Sequence, residues 1–310
     1  MAHFADRLAE AIENKGNACC VGLDPRVEMI PSPLRSEVMG EAMPTRESAA
    51  ELMRVFCREV IDIVAPRVPV VKPQAAFFER LGSVGYRVFE DTVAYAKSKG
   101  LVVIADVKRS DIGSTAAAYA EGLIGAATIH GLELYDLGAD AVTVNPYFGF
   151  DGVEPFIREA VRRDRGLFVL VRTSNETALQ VQGLACKGVP VYMRVGALVD
   201  HWGKEYVGRR GYSAVGAVVG GTQALDLEKL RRLMPTAWFL VPGYGAQGGS
   251  ASEVRLAFDA RGLGAIVNSS RGIIFAHGRA PYNRRFGESC WREAIAAATN
   301  AMVEDLGGMR

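Results

Sequence analysis

Eight short apolar runs, at positions 18–23, 68–71, 101–105, 141–144, 167–171, 214–219, 237–241 and 264–267, set the strongest limit on what this chain can fold into. They are nearly continuous, as in Phe168-Val169-Leu170-Val171, which is the pattern of parallel strands buried on both faces. Helical periodicity fills the spaces between them. Over 46–65, Ala49, Leu52, Met53, Phe56, Val60, Ile63 and Val64 make one apolar stripe. A second pattern covers 84–97 and stops at Gly100, a residue suited to ending a helix. Further helices fit 225–233, 251–260 and 288–306. Strand and helix alternating in this way predict an α/β fold, a (β/α)8 TIM barrel forming a single domain over residues 1–310. An open doubly wound sheet is the alternative. The surplus over a minimal barrel is expected in insertions at 25–45 and 182–212 and in the tail after His277.

Gross chemistry excludes several classes of function. With 36 basic against 35 acidic residues the formal net charge is +1, so nothing draws the whole chain toward nucleic acid or a membrane. No apolar run approaches a membrane span, and residues 1–15 read as an amphipathic helix and not a signal peptide. The expected location is the cytoplasm. Cys19, Cys20, Cys57, Cys186 and Cys290 are odd in number and lack paired metal spacing, which predicts buried free thiols. His3, His130, His201 and His277 are scattered without a companion motif, and none is assigned a catalytic role.

Polar residues close almost every apolar run. The first ends in Asp24, the second in Lys72, the third in Asp106 and Lys108, and the fourth in Asn145. The fifth ends in Arg172-Thr173-Ser174, the sixth in Gly220-Gly221, and the eighth in Asn268-Ser269-Ser270-Arg271. Any one of these could cap a helix or make a turn. Together they collect at the C-terminal rim, where barrel enzymes build their sites. The seventh run leads into Pro242-Gly243-Tyr244-Gly245-Ala246-Gln247-Gly248-Gly249, a loop whose glycines let the backbone approach an anion. Phosphate in such barrels sits on the loops after strands seven and eight, and the Arg271 guanidinium suits its oxygens. Gly243, Gly245 and Gly248 also satisfy G-x-G-x-x-G, but after the seventh strand and without the following acid that a dinucleotide site requires.

The third junction carries the sharpest chemistry. In Asp106-Val107-Lys108-Arg109-Ser110-Asp111 a β-branched stretch ends in an acid, a base and a second acid. Residues two apart in a strand share a face, so Asp106 and Lys108 project side by side. Either charge alone would be expensive in a dry interior. The two readings are a structural ion pair and a proton donor held between carboxylates.

In this order, the residues resemble the orotidine 5′-phosphate decarboxylase family over about 18–276. The resemblance rests on Asp24, Lys72, the D-x-K-x-x-D set with Thr115 beyond it, Ser174, the P-G-x-G-A-Q-G-G loop and Arg271. Chain length and Asn145-Pro146-Tyr147-Phe148-Gly149 look like the longer bacterial subfamily. The family resemblance implies loss of the C6 carboxylate of orotidine 5′-phosphate to give UMP, with no metal and no organic cofactor. It implies that Lys108 protonates the ring carbanion, that Asp106 lies by the departing carboxylate, and that Lys72 balances Asp106 and contacts the ribose. It further implies Asp24 on a ribose hydroxyl, Ser174 on the pyrimidine edge, and Gln247 and Arg271 on the phosphate. Asp111 and Thr115 are implied to reach the partner's site in a homodimer. The rivals are a magnesium-dependent sugar-phosphate decarboxylase or synthase on a related barrel, and a non-catalytic phosphate-binding barrel. The first calls for an acidic metal ligand where this chain has Lys72, and the second for a lost Lys108.

Overall fold

The computed structural model describes residues 3–41, 43–221, 224–245 and 250–307. Its eight barrel strands are β1 (Cys19–Leu23), β2 (Val70–Pro73), β3 (Val102–Arg109), β4 (Ala141–Val144), β5 (Gly166–Arg172), β6 (Val215–Val219), β7 (Phe239–Pro242) and β8 (Ala265–Ser269). Neighbours in sequence are neighbours in the sheet, all pairs are parallel, and β8 returns to β1 to close the barrel. The expected barrel is therefore present and the open sheet is ruled out. The continuous apolar runs follow from burial on both sides: one set of side chains packs under the outer helices, the other fills the barrel interior.

The N-terminal helix, Phe4–Lys15, plugs the end of the barrel opposite the polar rim. Phe4, Leu8 and Ile12 are buried there with Val70, Val102 and Trp238. Phe4 meets Phe168 edge-on, ring centroids 6.2 Å apart. Gly166 makes room for it, since a Cβ at that position would lie 2.1 Å from Phe4 Cδ1.

Several expectations about the outer elements need correction. The helix Val191–Gly203 packs on β5, on β6 and on the helix Ala224–Leu233. It is the helix of the fifth strand–helix unit, so 182–212 is only partly an insertion; a two-stranded pair, Ala185–Cys186 with Val189–Pro190, precedes it. The tail after His277 forms the helix Trp291–Gly307, which packs against the helix Arg46–Val64 and against β1. The helix expected over 251–260 is a single turn, Ala251–Val254, followed by a 3-10 turn, Arg255–Ala257. Asp259 draws the chain away by accepting from Arg261 N–H at 2.9 Å and Leu263 N–H at 3.1 Å. A hairpin of Ala127–Ile129 and Leu132–Tyr135 was not foreseen. Cys19, Cys20 and Cys57 are buried free thiols, but Cys186 and Cys290 are exposed, because they lie in the added pair and in the turn before the last helix.

The plug predicts a measurable contribution to stability. Phe4→Ala should lower the unfolding free energy in urea by about 3–5 kcal/mol, the usual cost of emptying a buried aromatic site. A loss below about 1 kcal/mol would mean that the helix is dispensable to the barrel.

Candidate active site

Burying an aspartate inside an apolar strand is tolerable only if its carboxylate is supplied with donors. Asp106 is 4% exposed, near the rim end of β3. Its Oδ2 accepts from Lys72 Nζ at 2.6 Å and Gln74 Nε2 at 2.8 Å, and its Oδ1 from Lys108 Nζ at 2.5 Å and Thr143 Oγ1 at 2.8 Å. Three strand ends therefore converge on one side chain. A bulge makes this geometry possible. Ala105 pairs with Val142 and Arg109 with Val144, so Asp106, Val107 and Lys108 stand opposite Thr143 alone. Extra residues in one strand re-aim their side chains and bend the chain locally. Lys108 takes φ +46°, a left-handed conformation that costs a non-glycine residue about 1–2 kcal/mol. Its backbone N–H donates to Thr143 Oγ1 at 2.9 Å.

Burial alone would push the Asp106 carboxyl up. The Lys72 ammonium and then that of Lys108 outweigh it and hold Asp106 well below the usual carboxylate range. Burial would likewise lower Lys72, but Asp106 and then Asp24 keep its ammonium above the ordinary lysine value. Both groups are therefore ionised at neutral pH. The two lysines differ in access. The Lys72 side chain is 7% exposed and that of Lys108 is 44% exposed.

Two adjoining hollows open over this cluster and share Lys72, Asp106 and Pro242. One, of about 330 Å³, is walled by Leu170, Val218 and Leu240 with Lys108, Ser174 and Asn175 at its polar edge. The other, of about 300 Å³, is polar and lies between Asp24, Arg26 and Arg271. Asp24 Oδ1 is buried there without a hydrogen-bond partner among the described residues. Close approach of the two rim segments depends on Gly22, where a Cβ would lie 1.9 Å from Ser270 Oγ.

The structure thus brings Lys72, Asp106, Lys108, Asp24, Ser174 and Arg271 to one cleft. It does not bring Asp111 or Thr115 there. Asp111 accepts from Ile112 N–H at 2.8 Å, and Thr115 is exposed on the helix Gly113–Leu123. Gln247 lies outside the described residues. Gln74 and Thr143 were not anticipated from sequence. Thr143 stands in an apolar run where threonine is an ordinary strand former, and Gln74 carried no signal beyond following Lys72.

Strands, rim and charge array together define a (β/α)8-barrel protein with a preformed site of alternating lysines and aspartates, half apolar and half polar. Residues 19–282 match the orotidine 5′-phosphate decarboxylase / HUMPS family, and the chain belongs to that family. It is 47% identical over 308 residues to the orotidine 5′-phosphate decarboxylase of Rhodopirellula baltica, covering 99% of this chain and 100% of the relative. The corresponding enzyme of Caldicellulosiruptor bescii is 39% identical over 277 residues, covering 89% and 91%. Among solved structures, Leishmania donovani OMP decarboxylase superposes with a TM-score of 0.72 at 29% identity, covering 99% of this chain and 98% of that one.

Removing the central carboxylate should expose what it offsets. Asp106→Asn leaves Lys72 buried beside a neutral amide and should cost about 3–5 kcal/mol at pH 7. Because the folded-state Asp106 is held below its unfolded value of about 3.9, its contribution is complete above that pH and fades as pH falls further. The stability gap between wild type and variant, measured by denaturant titration, should therefore narrow below about pH 4. A gap independent of pH would show that Asp106 ionisation does not stabilise the fold.

Proposed function

We propose that this chain, acting as one barrel domain, converts orotidine 5′-phosphate to UMP and carbon dioxide in pyrimidine nucleotide synthesis, without a metal or organic cofactor. The observation that carries the reading is the buried Asp106 carboxylate shared by Lys72 at 2.6 Å and Lys108 at 2.5 Å, in a cleft with one apolar and one polar half. The names of the relatives point the same way.

In this reading the pyrimidine enters the apolar half beside Ser174, and the phosphate lies toward Arg271, with Gln247 assigned to it on the family resemblance alone. Asp24, whose buried oxygen lacks a partner among the described residues, accepts from a ribose hydroxyl. Lys72 also contacts the ribose. The C6–carboxylate bond breaks heterolytically, carbon dioxide leaves, and the electron pair stays on C6. Lys108 stabilises the developing carbanion as an ammonium and then transfers a proton to C6. Neutral Lys108 is reprotonated from solvent, to which its side chain is open. Phosphate binding, remote from the broken bond, supplies energy that can be spent on transition-state stabilisation. A Mg²⁺-dependent sugar-phosphate reaction fits less well, since the Lys72 ammonium holds the position beside Asp106 and repels a second cation. A binding-only barrel would have no use for the Lys108 ammonium.

The proposal includes a cytoplasmic homodimer in which Asp111 and Thr115 complete the partner's site. Beside them Ile112, Tyr119, Phe148 and Phe150 are exposed, an apolar surface of the kind that interfaces cover. Among the described residues no helix is long and apolar enough to cross a membrane.

Purified protein should deplete the ultraviolet absorbance of orotidine 5′-phosphate, and Lys108→Ala should lower kcat on the order of 10⁴-fold. Near-wild-type turnover in that variant would end the assignment. Shared sites predict complementation. Lys108→Ala and Asp111→Ala homodimers should each be nearly inactive, whereas an equal co-refolded mixture should recover about a quarter of wild-type activity. Half of its dimers are mixed, and each mixed dimer carries one intact site. A mixture as inactive as its parents, with subunit exchange confirmed, would return Asp111 to its own subunit.

A further inference from the structure

Thr173, Ser174 and Asn175 leave the rim end of β5, and all three line the apolar hollow beside Lys108. Their hydrogen bonds run in one direction. The Thr173 backbone N–H, whose hydrogen cannot be reoriented, donates to Gln182 Oε1 at 3.0 Å. This fixes the Gln182 amide, because the reversed group would set donor against donor. Gln182 Nε2 then donates to Thr173 Oγ1 at 2.7 Å. Thr173 Oγ1–H in turn donates to Asn175 Oδ1 at 2.6 Å. If the Asn175 amide were reversed, that hydroxyl proton would have no acceptor among the described residues. The chain leaves Asn175 Oδ1 engaged, while Nδ2 of this exposed side chain at the wall of the hollow has no hydrogen-bond partner among the described residues.

We infer that Asn175 is a specificity-determining residue, a pre-aimed donor that selects a ring carbonyl over a ring amino group on the bound nucleobase, and that Gln182 is the positioning residue that sets its direction. This rests on the proposed function, under which the hollow holds a pyrimidine. A carbonyl oxygen accepts from Nδ2. An exocyclic amino group meets N–H with N–H and leaves both without acceptors, a mismatch that discriminates more strongly than a difference in shape. Gln182 thereby gives the start of the 182–212 segment a role that its sequence did not reveal.

UMP and CMP differ at C4, carbonyl against amino, and at N3, N–H against a bare ring nitrogen, so the change that an Asn175 variant makes in the ratio of their dissociation constants, measured by calorimetry, reads the selection. Wild type should bind UMP at least tenfold more tightly than CMP. Asn175→Ala should weaken UMP about tenfold, the worth of one hydrogen bond, and should not weaken CMP. Asn175→Asp replaces the donor by an acceptor and should move the ratio toward CMP; its added charge acts on both nucleotides and cancels. Gln182→Leu, which cannot touch the ligand, should lower the ratio several-fold by freeing the Asn175 amide to rotate. Equal weakening of both nucleotides in Asn175→Ala, or an unchanged ratio in Gln182→Leu, would overturn the inference. Decarboxylation assayed on the same samples separates the two levels. Wild-type turnover with a ratio indifferent to Asn175 sinks this inference alone. A ratio that follows Asn175 in a protein without turnover sinks the proposed reaction and leaves the selection standing.

Discussion

The Asp106 carboxylate is the point on which the rim is organised. A charged acid in a strand interior is tolerable only with donors on both oxygens, and the chain draws those donors from three strands. Lys72 and Gln74 come from the end of β2, Lys108 from β3 itself, and Thr143 from β4. Each bond also fixes the relative height of its strand, so the same contacts that keep Asp106 ionised hold that side of the rim in register. The bulge opposite Thr143 is the geometric cost of this arrangement.

A site so dependent on short distances needs a barrel that does not flex beneath it. The opposite end is closed by Phe4, Leu8 and Ile12 of the first helix, packed among the residues that begin the strands. Between that plug and the rim the interior is filled, with Cys20 lying below the Lys72–Asp106 pair. Burial pushes the Cys20 thiol up to about 12, so it serves as a small neutral filler and brings no competing charge. The outer helices, including the late helix Trp291–Gly307 against Arg46–Val64, complete the shell.

Much of this was legible in the sequence because it broke a rule. Lys72, Asp106 and Lys108 are charges at the ends of apolar strands, and a strand has no structural need for them. Asp24 and Arg271 were legible from position, one after the first strand and one after the last. Thr143 was not, since threonine in a strand is commonplace and its hydroxyl matters only once Asp106 lies 2.8 Å away. The helix Val191–Gly203 was obscured by its own glycine, Gly196, which fits there because it packs closely on Leu230 and Leu233. The hairpin at 127–135 carries exposed Ile129, Leu132 and Leu134, so no inward-facing alternation marked it. Asp111 and Thr115 show a different limit. Their motif was visible, yet the residues that would give it meaning lie, on the proposed reading, in another copy of the chain.

Two lysines on one aspartate invite the question of why both are present. Their surroundings give them separate work. Lys72 is enclosed, and Asp106 and Asp24 hold its proton above the ordinary lysine range, so it is a poor donor and a constant charge. Lys108 binds the same carboxylate through the other oxygen but keeps 44% of its side chain exposed. An ammonium that gives up a proton in every cycle must recover one, and only the second lysine has a route to solvent. Its left-handed backbone points to the same division, because strain of this kind persists where surrounding bonds over-determine a conformation that the chemistry uses. On the proposed reaction Lys72 keeps the field constant while Lys108 leaves Asp106, acts on the ring and returns, and the carboxylate is never left buried without a partner.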